Sequence, residues 1–99
     1  MKRLEDILKC MFERKASDLL LTVGLPPQLR INGLLEAMDW EPLASETLER
    51  MAFETLGETL FAELQARKSA DLSRGYDGLC RFRFNVFYQR GSIAMAIRA

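Results

Sequence analysis

Histidine is missing from the 99 residues altogether, and the two cysteines, Cys10 and Cys80, lie far apart and form no CxxC pair. Without a histidine neither cysteine completes a zinc-type ligand set or a thiolate–imidazole pair, so both are expected to be reduced and buried. Net charge is also missing: 14 basic residues balance 14 acidic ones. A chain with no excess of positive charge releases few counterions from a phosphate backbone, which argues against a nucleic-acid partner. Long apolar runs are absent as well. The longest uncharged stretch, Leu19 to Leu29, is interrupted by Pro26 and Pro27 and falls well short of the roughly 20 residues that span a bilayer. Glu5 and Asp6 break up any candidate secretory signal, so the expected compartment is the cytoplasm. The sequences GxxxxGK[ST], HExxH and GxSxG do not occur, which leaves no common catalytic motif to argue from.

What is present fits one compact domain spanning residues 1–99. About half the residues, 48%, are apolar, and only three prolines and six glycines interrupt the chain, so a core can form. Leu4, Ile7, Leu8, Met11 and Phe12 follow the spacing of one helical face. Leu19 to Val23 reads as a short buried strand stopped by Gly24 and Pro26. Gln28–Ile31 and Leu34–Leu35 flank Asn32-Gly33, the dipeptide best suited to a tight hairpin turn. After a connection over residues 36–44, Ser45 is expected to cap a helix carrying Leu48, Met51, Ala52 and Leu56 and closed by Gly57. A second short helix with Leu60, Phe61 and Leu64 ends near Lys68, and a strand begins at Ala70.

The closing segment is the most informative. Phe82, Phe84, Val86 and Tyr88 alternate with polar residues, Phe87 excepted, and Ile93, Met95 and Ile97 resume the alternation after Arg90-Gly91. If Arg90-Gly91 is a two-residue loop, Gln89 pairs with Ser92, and Arg83 falls opposite Arg98 on the polar face. A three-residue loop with a glycine bulge would move that register. Like charges placed directly opposite one another oppose pairing by roughly 0.2–1 kcal/mol, which suggests either full solvation or an anion held between two guanidinium forks. The plainer reading is the wet face of an edge hairpin. Charge is also unevenly spread: residues 36–63 hold eight acids and one base, Arg50, while residues 78–99 hold Arg81, Arg83, Arg90 and Arg98 and no acid. The acids fit the exposed face of the middle helices. A basic partner recognised through Glu46, Glu49 and Glu54 is a weaker reading.

Several blocks carry a resemblance. Lys15-Ala16-Ser17-Asp18-Leu19, Gly24-Leu25-Pro26-Pro27 and Arg30-Ile31-Asn32-Gly33 resemble the opening signature of the twitching-motility ATPases of the PilT and PilU type. Ala70-Asp71-Leu72-Ser73 and the run from Gly78 through Phe87 to Arg90-Gly91 resemble its second signature. The blocks occur in order and cover nearly the whole chain. The resemblance implies an α+β, PAS-like domain, an antiparallel sheet with flanking helices, that precedes a RecA-like motor domain absent from these residues. It further implies a homohexameric parent at the cytoplasmic base of a type IV pilus, against inner-membrane proteins. That parent would use ATP and magnesium, while this domain would be non-catalytic and would pack on motor domains of its own and neighbouring subunits. In the wider secretion-ATPase superfamily two arginines of this domain approach the nucleotide phosphates, and by motif they fall on Arg83 and Arg98. Leu20 stands where many close relatives carry a histidine, a substitution more similar to the accessory retraction paralogue than to the principal motor. The alternative is a free-standing PAS-like ligand-sensing or protein-interaction module.

Overall fold

The structure, a computed structural model, describes residues 3–99. Helix α1 spans Leu4–Glu13 and buries Leu4, Ile7, Leu8 and Met11, as their spacing predicts. Phe12, at the edge of that stripe, remains 43% exposed. Two acids in the first turn, Glu5 and Asp6, complement the positive helix end, and the Asp6 carboxylate accepts the Arg3 backbone N–H at 2.9 Å.

Three short strands follow: β1 (Asp18–Leu21), β2 (Gln28–Ile31) and β3 (Leu34–Ala37). The first is not buried on both sides, as its apolar run suggested. It alternates, with Leu19 and Leu21 in the core and Leu20 half-buried on the opposite face. The β2–β3 turn has Asn32 at φ 52° and Gly33 at φ 83°, the two positive angles expected of Asn-Gly.

Helix α2 (Ser45–Arg67) consists of two helical segments that meet at a kink at Gly57, where φ is 80° and ψ is 174°. The two helices expected either side of Gly57 are thus joined end to end. One detail differs: the N-cap is Ala44, not Ser45, and it makes no side-chain cap bond. Ser45 lies one residue inside the helix, where its hydroxyl cannot reach back to the first free N–H groups.

Strands β4 (Ser69–Gly75), β5 (Arg81–Gln89) and β6 (Ser92–Arg98) complete a six-stranded sheet, ordered β3-β2-β1-β6-β5-β4. The paired strands are antiparallel throughout. The β5–β6 loop is the two-residue Arg90-Gly91 turn, with φ of 54° and 81°, and the register is 89 with 92, 86 with 95, 84 with 97 and 83 with 98. Pairing of β1 with β6 closes the sheet between chain segments about 80 residues apart.

Both helices contribute their apolar faces to one core, with α2 lying over β4, β5 and β6. Phe82, Phe84, Val86, Met95 and Ile97, each at most 1% exposed, fill the space between sheet and helices. Each such side chain stabilises the fold by about 1.5–3 kcal/mol through the water it leaves behind. This is the α+β arrangement that the resemblance implies. Its consequence for function is the other face of the sheet, which neither helix covers.

Candidate functional site

On that uncovered face the strand registers bring residues from five strands into one transverse row. Arg30 on β2 pairs with Asp18 on β1, Asp18 with Arg98 on β6, Arg98 with Arg83 on β5, and Arg83 with Ser73 on β4. Residues directly opposite across antiparallel strands have Cβ atoms about 4.5–5.5 Å apart, so the row is a line of near neighbours. Its charges run plus, minus, plus, plus.

Asp18 is the hinge of the row. Its carboxylate lies 3.4 Å from Arg98 Nε and 3.6 Å from Arg30 Nε, and it accepts the Ser17 hydroxyl at 2.8 Å. The Asp18 side chain is 24% exposed, whereas that of Arg98 is 77% exposed. Arg30 also donates through Nη1 to the Gly33 carbonyl at 3.3 Å. Arg83, exposed and one strand beyond the reach of Asp18, has no acidic partner among the described residues.

Next to the row lies a shallow depression of about 280 Å³, lined by Asp18, Arg83, Asn85, Ala96, Ile97 and Arg98. Ala96 forms a low floor, and Asn85 is held at the rim by donating Nδ2–H to the Asp71 carboxylate at 2.8 Å. A concavity edged by two guanidinium groups, with small neighbours between them, suits an oxyanion with several acceptor oxygens. Phosphate fits that donor set.

The two arginines singled out from the sequence therefore meet on one face, and neither is buried. Sequence reasoning missed Asp18, although it sits within the first signature block. Its approach to Arg98 depends on β1 pairing with β6, which no local pattern reveals. The other sequence candidates are dispersed. Cys10 and Cys80 are half-buried and unpaired with each other, partly exposed where full burial was expected. Glu46 and Glu49 edge a separate depression on α2 that also holds Arg50, Phe53 and Phe61, the two rings meeting edge to face at 5.3 Å. Among the described residues, no cluster of three or more His, Cys, Asp or Glu could hold a metal ion. No helix among them is long and apolar enough to cross a membrane.

No protein-family model matches the chain. Among curated proteins it is 29% identical over 94 residues to the type IV pilus ATPase PilU of Pseudomonas aeruginosa, covering 95% of this chain and 25% of that protein. It is 29% identical over 91 residues to the type IV pilus retraction ATPase PilT of the same organism, covering 91% of this chain and 26% of PilT. The chain thus spans about a quarter of the length of these relatives. Among solved structures, the pilus retraction motor PilT with bound ADP superposes with a TM-score of 0.92 at 38% identity, covering all of this chain and 29% of that one. The Legionella pneumophila ATPase DotB gives a TM-score of 0.82 at 20% identity, over 97% of this chain and 28% of DotB, a likeness of fold alone. Sequence likeness along nearly the whole chain and a shared fold agree: the chain is similar to the N-terminal domains of the PilT- and PilU-type ATPases.

Proposed function

We propose that this domain is a non-catalytic assembly and regulatory element of a hexameric, ATP-driven pilus-retraction machine. In it Arg83 and Arg98 reach the phosphates of a nucleotide held by a motor domain. The observation that carries this reading is the placement of Arg83 directly opposite Arg98 on a sheet face that neither α1 nor α2 covers. Two opposed guanidinium groups cost folding energy in isolation, and a phosphate between them turns that cost into an attraction. The likeness to a pilus retraction motor solved with ADP supports it.

On this reading the parent works on the cytoplasmic side of the inner membrane at the pilus base, against inner-membrane proteins there. Domain 1–99 packs on motor domains of its own and neighbouring subunits. The arginines orient and neutralise phosphate oxygens, while the RecA-like motor domain supplies the chemistry of hydrolysis together with the magnesium ligands. A free-standing ligand sensor is less well supported, because side chains such as Phe82, Phe84 and Met95 fill the space beneath the sheet.

The test is steady-state ATP hydrolysis by the intact parent with Arg83→Ala or Arg98→Ala. An arginine that contacts transferring phosphate oxygens is worth about a hundredfold or more in kcat. A loss of that order in both variants, with hexamers still forming by light scattering, supports the assignment. Unchanged turnover in both would remove it.

A further inference from the structure

We propose that Asp18 is an internal competitor for the anion: its carboxylate holds Arg98 when no phosphate is present and gives it up when phosphate arrives. This rests on the assignment of Arg83 and Arg98 as phosphate contacts.

The two partners are built differently. Asp18 has a short side chain on a strand bonded on both sides, is 24% exposed, and is tied down by the Ser17 hydroxyl at 2.8 Å. Arg98 has a long side chain, 77% exposed, at the last position of β6. Of the two, the guanidinium is the group free to swing. Its hydrogen bond to Asp18 is one contact through Nε at 3.4 Å. A forked carboxylate–guanidinium pair would be strong, whereas a single exposed contact holds its partner by a factor of only about two to five. Such a contact orients Arg98 and yields to a more highly charged ligand.

The row also makes the two arginines unequal. Strand β6 separates Asp18 from Arg83, so Arg83 stays available at all times while Arg98 is available only in competition. A phosphate drawn first to Arg83 lies beside Arg98 and offers it more negative charge than one carboxylate does. When Arg98 leaves, Asp18 keeps Arg30 at 3.6 Å, so its charge is not orphaned. The device lowers the apparent affinity of any anion that uses Arg98 by about two- to fivefold, a cost that a polyphosphate, with the most charge to offer, overcomes best.

The experiment is an NMR titration of the 99-residue chain with sodium tripolyphosphate, following the Arg83 and Arg98 Nε–Hε signals and the Asp18 carboxyl carbon. Asp18→Asn is expected to tighten tripolyphosphate binding about two- to fivefold. In an Arg98→Gln background the same substitution should gain less than half as much on a logarithmic scale. In the wild-type chain the Asp18 carboxyl signal should move together with Arg98 at constant pH, a readout that stands even if Asp18→Asn fails to fold. Weaker binding by Asp18→Asn, an equal gain in both backgrounds, or a stationary Asp18 signal would each overturn the proposal. A response at Arg83 and Arg98 that Asp18→Asn leaves unaltered removes this proposal alone. No response at either arginine in any variant removes the phosphate assignment beneath it.

Discussion

At the scale of single residues, Arg83 carries the sharpest consequence for the isolated domain. It faces Arg98 and has no acid of its own among the described residues, so its charge destabilises the hairpin it sits on. Arg83→Ala is expected to raise stability by a few tenths to about 1 kcal/mol in urea unfolding at low salt, with the gain shrinking as salt screens the pair. A residue kept at a cost to its own fold is a candidate for work done elsewhere. Tyr76 gives a second, pH-dependent test. Burial pushes its hydroxyl pKa up, with Arg74 opposing and Glu5 reinforcing the shift. Because the folded state holds the proton more tightly than the unfolded state, this contribution is intact below the ordinary value near 10 and is lost as pH rises through the folded value. Tyr76→Phe should flatten the fall in stability measured by circular dichroism above about pH 10. In the core, Phe84→Ala should cost about 3–5 kcal/mol, since its ring is fully buried between sheet and helices.

At the scale of elements, the break in α2 is the feature most exposed to a single change. Gly57 sits at φ 80°, and a Cβ there would meet no atom within 4 Å, so strain rather than collision decides the outcome. Gly57→Ala is therefore expected to destabilise by about 1–3 kcal/mol through the positive-φ, extended-ψ backbone alone, measured by thermal or urea unfolding. The break matters to packing because it lets one chain segment present two apolar faces to a sheet that twists beneath it: Leu48, Met51, Ala52 and Leu56 before it, Leu64 after it. A straight helix of the same length could not keep both faces down.

At the scale of the whole molecule, stability and function are segregated. The helices and the inner sheet face hold the core, and the outer face holds the charged row. The four-residue edge strand β3, exposed along its length, should exchange amide hydrogens quickly, while β6 and β5 should be the slowest. Slow exchange in β3 equal to that in β6 would mean that the edge is covered in solution.

Part of this organisation was legible in the residues alone. The alternation of β5 and β6 pointed to the hairpin and, with Arg90-Gly91 as a two-residue turn, to the meeting of Arg83 with Arg98; the structure chose that turn over the bulged three-residue loop the residues also allowed. Asn32-Gly33 and Gly57 likewise declared their positions, since few residues accept a positive φ. The cap at Ala44 and the exposure of Phe12 were not legible, because both lie at the edge of a pattern where one residue decides between inside and outside. Tertiary structure alone decided that β1 lies beside β6, and with it that Asp18 reaches Arg98. Strand neighbours distant in the chain are chosen by which arrangement buries the whole core, and that choice is made by the packed molecule rather than by any local stretch of it.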